Sequence, residues 1–231
     1  MKGPGTSDPA VGVRPGSVGV LGGTFDPIHV AHLAVAEEAR EALGLVRILF
    51  IPAAMPPHKV DRPVSPAEHR LAMVELAIAG NPAFEASRIE LDRTGPSYTV
   101  DTLEALSAAR DGDAGGAGEP SPELVLILSS EAFRQLRTWR RPERILELAR
   151  LAVVPRDGYP AVGRALLAEH FPGREERAVF LRGPRLRLSA SELRERAANG
   201  RSLRYLVPDA VAAYIGDHAL YSDPIWRTNR T

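Results

Sequence analysis

Apolar positions along the chain fall into short runs that alternate with helical stripes. Residues 17–22 (SVGVLG) form an apolar run ending in glycine and predict a buried strand. Residues 31–43 place Leu33, Ala36, Ala39, Ala42 and Leu43 at helical spacing, with Gly44 as the C-cap. Residues 47–51 (RILFI) predict a second strand, stopped by Pro52. The stretch 52–63 holds four prolines and predicts an irregular loop. Ser65-Pro66-Ala67-Glu68 reads as a helix start, with Ser65 as N-cap, Pro66 first and Glu68 third, running to about Gly80. A strand is expected over 84–91, a helix over 100–109 and a flexible loop over 111–122 (DGDAGGAGEPSP). Further on, the pattern predicts strand 124–128 (LVLIL), helix 142–149, strand 151–155, helix 161–170 and strand 179–181. Ser189 opens another helix, with Glu192 completing a second capping box, and 208–216 forms a closing helix.

Strands that alternate with helices predict an α/β fold with a doubly wound parallel sheet and helices on both faces. Ligands of such sheets bind beyond the carboxyl ends of the strands. No internal repeat is found, so one domain over 17–218 is expected, with residues 219–231 as a C-terminal tail. Residues 1–16, rich in Gly, Pro and Ser, read as a disordered leader without the apolar stretch of a secretory signal.

The wider composition narrows the partners. The 231 residues are 44% hydrophobic and 25% charged, enough apolar material for a proper core. The 29 basic and 29 acidic side chains cancel, so net charge gives no reason to expect nucleic acid or an anionic membrane. The absence of cysteine excludes disulfides, thiolate metal sites and cysteine nucleophiles, and fits a cytoplasmic protein. No apolar run approaches the roughly 20 residues that span a bilayer. A homo-oligomer is left open.

Candidate chemistry is concentrated in Gly22-Gly23-Thr24-Phe25-Asp26-Pro27-Ile28-His29-Val30-Ala31-His32, which follows a predicted strand and opens a predicted helix. Small residues let backbone approach a phosphate, and helix N-terminal N–H groups favour anions. His29 and His32 share a helical face and can donate to charge developing on a transferred phosphoryl group. Two histidines at this spacing also suit a metal, but no nearby carboxylate pattern completes such a site. In Pro56-Pro57-His58-Lys59, a rigid proline pair can hold the Lys59 cation over a ligand. Arg93-Thr94-Gly95-Pro96-Ser97-Tyr98-Thr99 reads locally as a turn into a helix. Trp139, in Leu136-Arg137-Thr138-Trp139, can stack on an aromatic ring or pack in the core. Ser189 and Ser191 sit at a helix start with Arg194 one turn in, which suits a polyphosphate.

These segments, in this order, resemble the nicotinate-nucleotide adenylyltransferase family of the nucleotidyltransferase superfamily. The match runs from about Val18 to Tyr214. The first segment is similar to the superfamily's ATP-binding turn and His-x-Gly-His pair, with Ala31 where the family has Gly. Pro96 to Thr99 is similar to the Pro-Ser-Tyr-Thr segment that separates this family from its sisters. Just after the fourth strand the family has Gly-x-Asp, and this chain reads Ser129-Ser130-Glu131 instead. Near residue 189 the family has Ile-Ser-Ser/Ala-Thr-x-x-Arg, and Ser191 stands for the Thr.

The resemblance implies a Rossmann-like fold and transfer of the adenylyl group of ATP to nicotinate mononucleotide. It implies phosphate roles for His29, His32, Lys59 and Arg194, and an ATP cradle of Gly22, Gly23, Thr24, Phe25, Ser189 and Ser191. Thr99 and Trp139 would meet the pyridine, and Ser129 and Glu131 a nucleotide ribose. Mg2+ would arrive with ATP, with no tightly bound cofactor and no protein metal cage. Partners are ATP and a pyridine mononucleotide, with neither nucleic acid nor membrane.

Rival readings are a sister adenylyltransferase using the amide mononucleotide or phosphopantetheine, and a nucleotide-binding paralogue that does not turn over. An RNA-binding module is a third, resting on the five arginines of residues 134–144. A nucleic-acid binder would lose affinity steeply with salt.

Overall fold

The computed structural model describes residues 12–56, 63–113 and 122–226. In chain order the elements are β1 (Val18–Gly23), α1 (Val30–Leu43), β2 (Arg47–Pro52), α2 (Ala67–Ile78), β3 (Phe84–Ala86) and α3 (Thr99–Asp113). They are followed by β4 (Leu124–Ser129), α4 (Ser130–Gln135), a 3-10 turn (Leu136–Thr138), α5 (Pro142–Leu148), β5 (Ala149–Val154) and α6 (Arg164–His170). The last are β6 (Ala178–Phe180), α7 (Ala190–Ala198) and α8 (Asp209–Asp217), with short 3-10 turns at Glu175–Arg177 and Pro224–Trp226. The six-stranded parallel sheet has the order β3-β2-β1-β4-β5-β6, the doubly wound order expected from strands alternating with helices.

The residues group into two compact units. The first comprises Met1–Leu21, Val35–Ile48 and Thr99–Arg185, and the second Gly22–Ala34, Leu49–Tyr98 and Leu186–Thr231.

In the first unit, β4 pairs in parallel with β1 (Val18 opposite Leu124) and with β5 (Leu124 opposite Ala149 through Ser129 opposite Val154). Leu124 to Leu128 are all buried, so this strand is covered on both faces, as an interior parallel strand must be. Close packing here depends on Gly19. A Cβ there would lie 2.4 Å from Ile48 Cδ1 and 3.2 Å from Ile127 Cδ1. Gly44 ends α1 as expected, at φ +62°, with Leu45 N–H donating to Arg40 O at 2.9 Å. In the second unit α2 packs on α8, and Leu71, Met73, Val74, Val211 and Ile215 are buried.

Several local expectations change. The 84–91 strand is only three residues long, and a turn follows it. Helix α3 extends to Asp113, into the segment expected to be loop, while residues 114–121 lie outside the described residues, as do 1–11 of the leader. Neither capping box forms by its side chain. Pro66 occupies the N-cap of α2, and Ser189, although it is the N-cap of α7, makes no side-chain cap bond. Helix α4 has no counterpart among the expected elements.

Candidate functional site

In the second unit the carboxyl end of β1 turns sharply into α1. Ala53 N–H donates to Gly23 O at 2.8 Å, fixing the end of the strand. Gly22 is exposed, and a Cβ there would meet nothing within 4 Å, so backbone is open to approach. Phe25 follows at φ +49°, a left-handed conformation unfavourable for a bulky residue. Its ring compensates by burial (2% exposed), edge-on to His32 at 5.0 Å and tilted against Phe50 at 6.0 Å. Phe25 therefore serves the turn by packing its side chain inward.

The two histidines are stacked, with ring centroids 3.7 Å apart and planes 18° apart. The His29 N–H donates to His32 Nδ1 at 3.2 Å. With Nδ1 accepting, a neutral His32 ring carries its proton on Nε2 and can donate from there. His29 is buried, and the neighbouring Val30 N–H donates to Leu206 O at 3.1 Å, which holds the helix start.

Helix α7 brings the distant serine and arginine motif to this turn. Arg194 Nη1 donates to Asp26 O at 2.6 Å and Nη2 to Ser191 Oγ at 3.1 Å. With no side-chain cap at Ser189, the first N–H groups of α7 lack the partner a capping hydroxyl would supply. Those donors, with Arg194, suit an anion.

Beneath the turn lies a polar scaffold that the sequence did not disclose. Arg70 is 1% exposed and donates to Ser65 O (2.8 Å), Thr24 O (2.8 Å) and Ala54 O (3.2 Å). Burial lowers its pKa, and the Asp26 charge opposes that shift. Asp26 is also buried. Its Oδ2 accepts from Ser65 N–H at 3.1 Å and its Oδ1 from Tyr221 OH at 2.7 Å. The one readable signal was Arg70 itself, a lone cation beside Leu71, Met73 and Val74. Tyr221 gave none, because its partner lies 195 residues away.

Thr99, Trp139, Ser129 and Glu131 fall in the first unit. Thr99 is the first residue of α3 and half-buried. The next turn of that helix is tied to the segment after Trp139: Arg141 pairs with Asp101 at 3.0 Å and with Glu104 at 2.8 Å. Trp139 is half-buried, and its N–H donates to Leu136 O at 3.0 Å.

The Ser129-Ser130-Glu131 run has a local use for each side chain. Ser129 Oγ caps α4 by accepting from Ala132 N–H at 3.2 Å, and buried Ser130 Oγ accepts from Arg156 N–H at 3.0 Å. The Glu131 carboxylate accepts from Arg156 Nη1 and, at 2.7 Å, from Tyr159 OH. The bond to Glu131 raises the Tyr159 pKa. Lys59 lies outside the described residues. Among the described residues no group of three or more His, Asp or Glu is gathered for a metal ion, and no helix is long and apolar enough to cross a membrane.

Comparison with known proteins gives the family. The model of the Cytidylyltransferase-like family matches residues 20–196. The probable nicotinate-nucleotide adenylyltransferase of Roseiflexus sp. (strain RS-1) is 52% identical over 204 residues, covering 88% of this chain and 97% of the relative. That of Thermus thermophilus is 45% identical over 204 residues, covering 88% and 98%. Plasmodium falciparum nicotinic acid mononucleotide adenylyltransferase complexed with NaAD shares the fold, with a TM-score of 0.71 at 17% identity over 89% of this chain and 97% of that one. By the family model over residues 20–196 and by relatives covered nearly to their full length, the chain belongs to the Cytidylyltransferase-like family and, within it, to the nicotinate-nucleotide adenylyltransferases.

Proposed function

We propose that this enzyme transfers the adenylyl group of ATP to nicotinate mononucleotide, giving deamido-NAD and pyrophosphate, in NAD biosynthesis in the cytoplasm. The observation that carries the reading is the 2.6 Å bond from Arg194 to the backbone of Asp26, which joins the α7 motif to the turn carrying His29 and His32. A phosphate oxygen of the mononucleotide attacks the α-phosphorus, the α–β bridging bond breaks, and pyrophosphate leaves with the electron pair. The attacking phosphate is already ionised near neutral pH, so no general base is required. Catalysis then rests on positioning and charge neutralisation.

In this reading His29, His32, Arg194 and Lys59 act on the phosphates, while Gly22, Gly23, Thr24, Ser189 and Ser191 cradle ATP. Magnesium enters as part of the substrate, MgATP. Thr99 and Trp139 take the pyridine carboxylate and ring. Ser129 and Glu131 are assigned to a nucleotide ribose. Since Arg156 and Tyr159 already engage the Glu131 carboxylate, a ribose hydroxyl would join that cluster as a further donor.

A pyrophosphate-release assay with magnesium tests the reading. Nicotinate mononucleotide should support release and yield deamido-NAD. Turnover with phosphopantetheine only, or no turnover with any acceptor, would overturn it. The same assay tests Thr99. Thr99→Val should cost about 1–3 kcal/mol in nicotinate mononucleotide binding by leaving part of the carboxylate unpaired. The KM for ATP should barely move, and equal losses for both substrates would remove Thr99 from the pyridine site.

A further inference from the structure

We propose that the C-terminal segment 221–226 is a strap that positions Arg194 for the phosphates of ATP, Tyr221 acting through Asp26 and Trp226 through the guanidinium face. The inference rests on the assignment of Arg194 to those phosphates.

Four residues close a ring. The Tyr221 hydroxyl donates to Asp26 Oδ1 at 2.7 Å, and Tyr221 is 3% exposed. The backbone carbonyl of Asp26 accepts from Arg194 Nη1 at 2.6 Å. The Arg194 guanidinium carbon lies 4.9 Å from the centre of the Trp226 ring. That ring meets Tyr221 edge-on, 5.5 Å between centroids with planes 88° apart. Tyr221 thus touches both the residue that receives Arg194 and the ring that supports it.

The backbone is bent to make this possible. Ala219 (φ +48°) and Tyr221 (φ +65°) are both left-handed, which is unfavourable for residues with a Cβ. Two such residues close together persist only where surrounding contacts hold them. The contacts that hold Tyr221 include the buried hydroxyl bond and the Trp226 ring.

Stacking suits a guanidinium that must also bind an anion. An aromatic ring under the flat face restrains rotation without occupying any N–H donor, because all the donors lie in the guanidinium plane. Protein partners engage Nη1 and Nη2, while Nε is buried without a hydrogen-bond partner among the described residues. An anionic ligand at the start of α7 would meet a guanidinium held in one orientation. Tyr221 itself is no acid in this site. Its pKa is raised by burial and by the Asp26 charge, so the hydroxyl stays a donor.

The test uses the full chain, with calorimetric titration of ATP in magnesium and steady-state kinetics. Trp226→Ala should weaken ATP binding roughly 5- to 30-fold, the range of a partly buried cation–π contact, with the KM for nicotinate mononucleotide and the melting temperature nearly unchanged. Trp226→Phe keeps an aromatic face and should stay within about threefold of the parent. Tyr221→Phe should shift ATP affinity in the same direction. In an Arg194→Ala background, Trp226→Ala should add no further loss, since the guanidinium it supports is gone. ATP binding equal to or tighter than the parent in Trp226→Ala would overturn the proposal. So would a loss that persists without Arg194, or one shared equally by both substrates. If Arg194→Ala leaves ATP affinity unchanged, the phosphate assignment itself falls and takes the strap with it. If Arg194→Ala weakens ATP and Trp226→Ala does not, only the strap falls.

Discussion

Replacing His29 or His32 with alanine is expected to lower kcat by about 10²–10³, the scale for losing one donor aimed at developing charge. Both rings lie at the turn from β1 into α1, stacked at 3.7 Å, and the His29 backbone bond to His32 Nδ1 leaves Nε2 as the donating nitrogen of a neutral His32. A histidine acting in this way stabilises charge that appears only as the phosphorus is attacked, so kcat should fall more than substrate affinity. His32→Asn sharpens the test. Its side-chain oxygen can replace Nδ1 as acceptor but offers nothing at the Nε2 position, so the variant should fold and still be slow. The measurement is turnover at saturating ATP and nicotinate mononucleotide, with circular dichroism melting to confirm the fold. Near-parental turnover in either folded variant, His29→Ala or His32→Ala, would remove the histidines from the mechanism.

Arg70→Met should be the most destabilising single change in the second unit. The methionine matches much of the arginine's bulk and removes every donor. Three carbonyls, of Ser65, Thr24 and Ala54, then lose the arginine as donor in a buried or half-buried setting. Leaving buried acceptors unsatisfied costs about 1–3 kcal/mol each, and removing one partner of a buried charge costs about 3–5 kcal/mol. The acceptors relax together, so a total of roughly 3–5 kcal/mol is expected, a fall in Tm of about 6–20 °C for a chain of this size. Arg70→Lys keeps the charge but presents one compact cation instead of a planar fork, so it should recover only part of the loss. A melting temperature for Arg70→Met within a degree or so of the parent, about a third of a kcal/mol, would show that water or backbone shifts satisfy those carbonyls.

What could be read from the sequence followed the local character of each signal. Strands β1, β2, β4 and β5 were legible because interior parallel strands are continuous apolar runs, and each lies within two residues of its expected bounds. Strand β3 was overread, since eight residues of mixed pattern fold into three of strand and a turn. Helix α4 was hidden because it is only six residues long and its cap, Ser129, also reads as loop. The Ser65 capping box failed for a reason no local pattern carries. Its N–H goes to Asp26, from a turn 39 residues earlier. Around the candidate site, the histidines, Ser191 and Arg194 were found by motif, and the structure brings them together in one unit. Asp26, Arg70 and Tyr221 do their work beneath the surface, through partners far apart in the chain. Only Arg70, a cation in an apolar stripe, left a trace.

The bond between Asp26 and Tyr221 also sets a schedule for synthesis. Each unit is assembled from three separated stretches of chain, and the second needs residues that follow Leu186. At about 5–20 residues per second, the ribosome needs roughly 10–40 s to travel from the aspartate to the tyrosine that donates to it. For that interval the aspartate and the arginine at position 70 belong to a nascent segment whose last stretch has not been made. Synthesis that stops before the tyrosine yields a chain with a carboxylate built for burial and no hydroxyl to meet it.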